Sequence, residues 1–214
     1  MRLVCRSFAD GARIPPRFAA AVPGPAGPVP GPNSSPSLEW SDAPARTRSY
    51  ALLCRDLDAP ATFADANRRD RVVCWNAARS DFFHWVLVDI PLSVRHLPEG
   101  IESDGFVPKG KPLGKTAHGR RGANGCGTRF AGDPALAGEY GGWDGPWPPF
   151  NDERVHRYLL TLYALDVSAL ELPERFDASA TLAAMEGHVL DRASWAGTYT
   201  LNPDAWASPR LHHA

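Results

Sequence analysis

GGWDGPWPPFNDERVHRYLLTLYALD, residues 141–166, joins a loop of glycine, proline and tryptophan to a run of apolar residues. The run 156–166 alternates in the manner of a buried β-strand. One face of that strand carries His156, Tyr158, Leu160 and Leu162. Glycine permits close backbone approach and proline fixes φ without donating a hydrogen bond, so the loop should have a set shape with selected N–H groups exposed. The stretch therefore predicts a central strand that begins, at a histidine, beneath a rigid loop.

Two further runs predict strands of the same kind. Residues 49–55 are almost continuously apolar, which is typical of a strand buried on both faces, and the run ends at Asp56. The second run is FFHWVLVDIP, residues 82–91, which Pro91 ends. Simple alternation places His84, Val86, Val88 and Ile90 on one face and Trp85, Leu87 and Asp89 on the other.

The remaining chain predicts one helix and several irregular connections. FDASATLAAMEGHVLDRASW, residues 176–195, is expected to begin a helix at Asp177 or Ser179. The apolar side of this helix would carry Leu182, Met185, Val189 and Leu190, and the following TYTL would form a last strand. The segment 22–36 is rich in proline and glycine, so we expect a surface loop that lacks a regular hydrogen-bonded ladder.

Composition favours a single all-β domain over residues 1–214. The chain is 43% hydrophobic and has 21 Pro and 19 Gly, which indicates a substantial core and many turns. The net charge of −1 gives no general attraction for nucleic acid. No apolar run is long enough to cross a membrane or to act as a signal peptide, so we expect a cytoplasmic protein. The four cysteines are widely and irregularly spaced, which indicates neither a zinc site nor a redox dithiol, and no cofactor is predicted.

Residues 105–132 contain no acidic side chain, and their basic residues are Lys109, Lys111, Lys115, Arg120, Arg121 and Arg129. The ordinary interpretation is a solvated loop. The alternative is a basic flap beside an anion site.

Three ionisable side chains stand at comparable strand ends. They are Asp56, His84 and His156. If the strands are neighbours in one sheet, these side chains can converge at one rim. There they could form an anion pocket in which imidazole N–H groups and the free amides of Gly142 and Gly145 donate to phosphate or carboxylate oxygens. The alternative is a metal-dependent hydrolase that uses Asp56, His84 and His156 as ligands.

Several segments resemble the phosphatidylethanolamine-binding proteins, specifically the bacterial Raf-kinase-inhibitor-like branch. They cover most of the chain in the family's order. They are NSSPSLEWSDAP (33–44), LLCRDLDAP (52–60), FFHWVLVDIP (82–91), EYGGWDGPWPPFNDERVHRYLLTLYALD (139–166) and GHVLDRASWAGTY (187–199). The D-x-D-A-P, H-W and G-P-x-P-P…H-R-Y elements are highly specific when they occur together.

The resemblance implies a two-sheet antiparallel Greek-key sandwich with a C-terminal helix packed on it. It also implies a non-enzymatic protein with a small rim pocket for phosphate, acetate or a phospholipid head group. The implied ligand-binding residues are Asp56, His84, Trp143, Gly145, Pro146 and His156. Asp58 is expected to brace a turn. A phosphoprotein is the implied macromolecular partner.

The resemblance also implies that the chain forms homodimers. The aromatic side chains of Trp143 and Trp147 are expected to be exposed and to supply an apolar patch for self-association.

Three departures from the family pattern bear on the pocket. Leu57 replaces a proline between Asp56 and Asp58, which should loosen that turn. Trp147 replaces a frequent cysteine and should narrow or cap the mouth. The insertion 61–81 is long and is expected to overhang the pocket. Ligand size is therefore the property that the resemblance predicts least well.

Overall fold

The computed structural model describes residues 1–207, so the last seven positions of the predicted domain lie outside the described residues. Strands make up most of the regular secondary structure of the described residues, and there are eleven of them: β1 (Arg2–Cys5), β2 (Ala21–Gly24), β3 (Gly27–Pro30), β4 (Leu38–Ser41), β5 (Ser49–Asp56), β6 (Phe82–Pro91), β7 (His96–Leu97), β8 (Gly114–Thr116), β9 (Gly119–Arg121), β10 (His156–Leu165) and β11 (Val189–Tyr199). The helices are short: α1 (Cys126–Arg129), α2 (Ala178–Ala184), α3 (Pro203–Ala207) and a 3-10 turn at Pro16–Phe18. None of these helices is long and apolar enough to span a bilayer.

The strands form one large and two small sheets. The six-stranded sheet has the order β11-β10-β5-β6-β9-β8, the three-stranded sheet has the order β1-β4-β7, and β2 pairs with β3. All of these pairings are antiparallel. The expected all-β antiparallel class is therefore confirmed. The three predicted central strands are also confirmed, and they are immediate neighbours as β10, β5 and β6.

The main core lies between the six-stranded and three-stranded sheets. Leu38 and Trp40 from β4 pack in one cluster with Tyr50 and Leu52 from β5. Trp40 and Tyr50 meet edge to face, with ring centroids 5.6 Å apart. Aromatic pairs in this geometry add stabilisation beyond the apolar area that they bury.

A second core lies on the outer face of the six-stranded sheet, where α2 covers it. Val86, Phe176 and Met185 belong to this cluster. Asp177 caps α2 by accepting a hydrogen bond from the Ala180 amide, as predicted. The rest of the predicted helical face is wrong. Leu182 lies in α2 but its side chain is exposed, and Val189 and Leu190 begin the long strand β11.

Two irregularities in β6 change the predicted alternation. The register pairs Cys54 with Trp85 and Arg55 with Phe83, which leaves His84 as an extra residue without a partner. A second shift between Tyr50 and Leu52 accompanies Asp89, whose φ is 53°. Bulges of this kind turn a side chain towards the other face of a sheet.

These bulges explain two corrections. His84 does not share a face with Val86 and Val88, because the bulge turns it to the same side as Asp56 and Tyr158. Ile90 packs in the main core with Trp85 and Leu87, and not with Val86 and Val88.

The proline-rich segment 22–36 is only partly a loop. It contributes to the hairpin of β2 and β3, in which Pro23 stands opposite Pro28. The expectation that no ladder forms here is wrong. A two-stranded hairpin leaves one side of each strand without a backbone partner, so residues that cannot donate are tolerated there.

Candidate functional site

Asp56, His84 and His156 come together at one cavity, near the end of β5 and the starts of β6 and β10. The cavity has a volume of about 80 Å³. Its lining consists of Asp56, Ala59, Pro60, Phe63, Asn67, Phe82, His84, Cys126, Arg129, Phe130, Trp147, Pro148, Pro149 and His156. The three side chains predicted to converge are each at least 96% buried.

His156 lies between two carboxylates. Its Nδ1 is 2.7 Å from Asp56 Oδ2, and its Nε2 is 3.2 Å from Asp152 Oδ2. Because a carboxylate at neutral pH can only accept, both ring nitrogens of His156 donate and the ring is an imidazolium. Asp152 is itself paired with Arg79 at 3.0 Å.

The charges in this group stabilise one another. Burial alone would lower the pKa of His156, but the charge of Asp56 and the hydrogen bonds that the ring donates to both carboxylates raise it to about 9. Burial alone would raise the pKa of Asp56, yet the adjacent His156 and His84 hold that pKa well below its usual range. His156 is therefore a fixed positive charge in the wall, and it has no N–H left to donate to a ligand.

His84 is held differently, since only one of its ring nitrogens has a partner. Its Nδ1 lies 2.7 Å from the backbone carbonyl oxygen of Asp144. Its Nε2 has no hydrogen-bond partner among the described residues, although it is fully buried from bulk solvent. The nearest carboxylate oxygen, Asp56 Oδ2, is 3.9 Å away, which is too far for a direct hydrogen bond. A buried polar atom without a partner indicates a position where a ligand or water can bind.

The carbonyl that holds His84 belongs to the rigid loop 141–150, and a buried network fixes that loop. The Asp144 carboxylate accepts from Lys111 Nζ at 2.5 Å, from Asn33 Nδ2 at 3.0 Å and from Asn124 Nδ2 at 2.8 Å. Lys111 was part of the basic segment 105–132, and here it is an internal partner of Asp144. The network therefore fixes His84 through the backbone of the loop.

Three residues that the sequence assigned to ligand contact lie behind the cavity wall and do not line it. The Gly145 amide is not free, because it donates to Asn33 Oδ1 at 2.8 Å. Pro146 uses its carbonyl to accept from the amides of Ala20 and Ala21. The side chain of Trp143 is fully buried and donates from Nε1 to the Phe18 carbonyl.

The predicted self-association patch is wrong for the same reason. Trp143 is in the main core, and Trp147 is half-buried at the cavity mouth, where its ring packs 5.5 Å from those of Phe106 and Phe130. Trp147 thus narrows the mouth, as the sequence comparison with the family pattern implied.

Arg129 is the main site residue that the sequence did not single out. Its guanidinium lies at the mouth, 4.3 Å from the ring centroid of Phe63 and 5.7 Å from that of Phe130. Burial lowers the pKa of Arg129, and no described carboxylate forms an ion pair with it. The lack of acidic residues in 105–132 was the signal that could have identified this unpaired cation.

The insertion 61–81 overhangs the cavity, as expected, and supplies Phe63 and Asn67 to its lining. Asn151 holds the insertion in place. Its side-chain amide donates to the carbonyls of Asp65, Arg68 and Arg71 at 2.8 to 3.1 Å, and its carbonyl accepts from the Asn67 amide.

Leu57 does not loosen its turn. Its amide donates to the Arg157 carbonyl at 3.0 Å, a bond that proline could not make. Asp58 braces this region as expected, because its carboxylate accepts from Arg157 at 2.8 Å and from Arg154 at 3.2 Å.

The metal-dependent alternative gains no support from this arrangement. Within residues 1–207, no group of three or more His, Cys, Asp or Glu side chains is arranged to hold a metal ion. Both nitrogens of His156 are already bonded to carboxylates, so its ring presents no lone pair to a metal.

Comparison with known proteins gives consistent matches over nearly the whole chain. The family profile described as phosphatidylethanolamine-binding protein matches residues 5–200. A UPF0098 protein of Methanothermobacter thermautotrophicus is 33% identical over 199 residues, which cover 93% of this chain and 98% of the relative. The UPF0098 protein YbhB of Escherichia coli is 28% identical over 200 residues, which cover 91% of this chain and 95% of the relative.

Two solved structures have the same fold. The phosphatidylethanolamine-binding protein homologue CT736 of Chlamydia trachomatis superposes with a TM-score of 0.62 at 26% identity, and the match covers 92% of this chain and 95% of that one. The structure of Escherichia coli YbcL, described as a member of the mammalian PEBP family, gives a TM-score of 0.65 at 22% identity. That match covers 93% of this chain and 97% of YbcL.

Proposed function

Because this chain belongs to the phosphatidylethanolamine-binding protein family, we propose that it is a non-enzymatic binding protein whose cavity takes small anions or phosphorylated ligands. Family membership suggests ligand binding in general. The observation that supports an anion in particular is the guanidinium of Arg129, which forms no ion pair with a described carboxylate and lines the cavity into which the unpartnered His84 Nε2 also points.

The charges around the cavity favour a negative ligand. The carboxylate of Asp56 lines the cavity, and the positive charge of the His156 ring balances its negative charge. Arg129 adds a positive charge that has no carboxylate partner in the described chain. Cations in such half-buried positions interact more strongly with an anion than they would in water.

The cavity is also of a suitable size. A volume of about 80 Å³ has room for roughly five to eight water-sized groups. A phosphate or phosphonate group fits within that space. The aromatic and proline side chains above it, with Trp147 at the mouth, would surround the part of the ligand that follows the anionic group.

Titration calorimetry with phosphate and O-phosphoethanolamine tests this proposal. We expect saturable binding to the wild type and at least a tenfold loss of affinity in His84→Ala and in Arg129→Ala, since each change removes a polar group that faces the ligand. The matched control is His96→Ala, which changes an exposed histidine in the three-stranded sheet.

The far-ultraviolet circular dichroism of each variant verifies folding. Unchanged affinity in folded His84→Ala and Arg129→Ala proteins would refute the proposal. His156→Ala is less informative. It would leave the buried carboxylates of Asp56 and Asp152 without the imidazolium that pairs with them, and it would therefore destabilise the protein.

A further inference from the structure

The outer face of the six-stranded sheet is only partly covered. The seven-residue helix α2 packs on this face beside β6, where Val86 and Met185 lie in one apolar cluster. Over β5, β10 and β11 a groove of about 450 Å³ stays open, which we call the outer groove. Its lining consists of Leu53, Arg55, Phe83, Leu159, Thr161, Tyr163, Leu182, Arg192 and Ser194. None of these residues lines the cavity of Asp56 and His84, so the outer groove is a separate surface.

The outer groove combines apolar side chains with hydroxyl groups. Leu159 and Tyr163 are half-buried, and Leu182 at the rim is 39% exposed. On the floor, Thr161 Oγ1 and Ser194 Oγ lie 3.0 Å apart. Apolar side chains gathered in a concave surface, with polar groups beside them, are typical of a binding site.

The charge of the outer groove has one sign. Arg55 and Arg192 are its charged residues, and no described carboxylate lines it. Arg55 Nη1 lies 2.9 Å from Asp81 Oδ2, but both side chains are exposed, and such a pair stabilises little. Arg192 forms no ion pair with a carboxylate of residues 1–207. The outer groove therefore complements a negatively charged occupant.

The register of the sheet places the two arginines at opposite ends of the outer groove. Arg55 stands opposite Leu159, which stands opposite Ala196, and Arg192 lies four residues before Ala196 on β11. With strands about 4.8 Å apart and a rise of about 3.4 Å per residue, the two arginine Cα atoms are about 17 Å apart. An extended segment of about five residues spans roughly 14 Å, and the side chains at its two ends can cover the remaining distance.

The open edge of β11 favours a polypeptide over a small ion. β11 is an edge strand, and the segment 10–14 bonds to its backbone at Ala196 and Thr198. Because the outward-facing residues alternate along a strand, the backbone groups of Arg192 and Ser194 also point away from β10. The Arg192 carbonyl and both backbone groups of Ser194 have no hydrogen-bond partner within residues 1–207. A chain that leaves the outer groove at this edge meets unpaired main-chain donors and acceptors, as in strand addition.

We propose that the outer groove binds an acidic, extended segment of a partner protein, whose carboxylates lie near Arg55 and Arg192. The apolar side chains between them pack against Leu159 and Leu182. A second copy of this chain is a poorer occupant, because two β11 edges paired about Arg192 would place like charges opposite each other. This interaction does not depend on the anion cavity, and its test is independent of phosphate binding.

Nuclear magnetic resonance titration of the full-length, ¹⁵N-labelled protein with the acetylated and amidated peptide Glu-Val-Thr-Val-Glu tests the proposal. We expect saturable shifts of the backbone amides of β10 and β11 and of the Nε–Hε signals of Arg55 and Arg192, with the His84 signals unchanged. The matched peptide Lys-Val-Thr-Val-Lys should bind at least about tenfold more weakly, because its charges repel the arginines. Added salt should weaken the acidic peptide, since the arginines are solvent-exposed.

Charge reversal gives an independent readout. Arg192→Glu and Arg55→Glu should each weaken the acidic peptide several-fold, and the double variant should bind the lysine peptide more tightly than the glutamate peptide. Both arginines are on the surface, so these variants should fold. The control is Arg2→Glu, at an exposed arginine of the three-stranded sheet, which should leave the preference for the acidic peptide unchanged.

Four results would overturn the proposal. The first is no binding of the glutamate peptide, and the second is equal binding of the two peptides. The third is peptide binding that His84→Ala abolishes, because the peptide would then occupy the anion cavity. The fourth is a dimer in sedimentation velocity that Arg192→Glu dissociates, because a second copy would then cover the outer groove.

Discussion

His156 is the residue at which burial and charge oppose each other most directly. Its ring is 1% exposed, a position that would ordinarily keep a histidine neutral. Carboxylates on both sides reverse this preference. The balance of charges, with Arg79 bonded to Asp152 and Asp152 to His156, makes the imidazolium a structural element of the cavity wall.

The raised pKa of His156 predicts a pH-dependent stability. Since the pKa is about 6.5 in the unfolded chain and about 9 in the folded protein, the stabilisation is fully present below pH 6.5 and is lost as the pH rises through 9. We expect the free energy of unfolding to fall by on the order of 3 kcal/mol across this interval. Urea denaturation at a series of pH values measures it.

Asp152→Asn provides the comparison for this measurement. Removing one of the two carboxylates should lower the pKa of His156 and make the decline shallower. A wild-type profile that is flat between pH 6.5 and 9.5 would contradict the charged state assigned to His156.

The sequence predicted the three central side chains of the site, but not their separate roles. Asp56, His84 and His156 could be placed together because each lies at the end of an apolar run. Asp152 comes from a loop and Arg129 from the last position of the four-residue helix α1, and periodicity gives no information on where such short, irregular connections return to the fold. The same limit explains why Gly145 was predicted to contact a ligand. In the structure Gly145 instead lies against the backbone of Phe18, and a Cβ added to it would lie 1.9 Å from the Phe18 carbonyl oxygen.

At the scale of elements, one side chain of the neighbouring loop makes several hydrogen bonds to residues 65–71 of the insertion 61–81. Asn151 makes three hydrogen bonds to backbone carbonyls of the insertion and accepts one from the Asn67 amide. The insertion has little apolar packing of its own, since most of residues 64–72 are exposed. Polar contacts therefore hold residues 64–72, whereas Phe63 at the start of the insertion packs against Phe82 and Arg129.

Asn151→Ala should release the insertion while leaving the sheets intact. We expect faster amide hydrogen exchange in residues 64–73, because four hydrogen bonds are lost together, and unchanged exchange in β5 and β10. Hydrogen-exchange mass spectrometry measures both. Asn76→Ala, at an exposed asparagine of the same insertion, is the control. Equal exchange in the two variants would show that Asn151 does not hold the insertion.

The sequence predicted where the central strands begin and end better than it predicted which residues share a face. The bounds of β5 and β6 followed from continuous apolar runs, because such runs are buried on both sides of a sheet. The faces of β6 did not, since the two bulges depend on how Cys54 and Tyr50 are paired across the sheet. Alternation within one strand contains no information about a residue that its partner strand skips.

At the scale of the whole molecule, the main core joins the six-stranded and three-stranded sheets in one cluster. We therefore expect residues 1–214 to unfold as one domain in a single transition. Tryptophan fluorescence and far-ultraviolet circular dichroism should give the same midpoint in guanidinium, because Trp40, Trp85 and Trp143 all lie in that core. Two separate midpoints would indicate that the sheets unfold independently.

Homodimer formation stays a prediction that lacks its original argument, because Trp143 is buried and Trp147 packs at the cavity mouth. The fold class, by contrast, was predicted: composition and three apolar runs indicated an all-β architecture, and the family resemblance implied that its sheets are antiparallel.

The bulge at His84 has an evolutionary consequence. His84 is the residue that β5 skips, so deletion of its single codon would place Phe83 and Trp85 next to each other opposite Arg55 and Cys54, in a regular ladder. The sheet would lose an irregularity, whereas the cavity would lose its unpartnered nitrogen. A lineage that no longer needed the ligand could thus discard the site in one mutational event and inherit an intact scaffold.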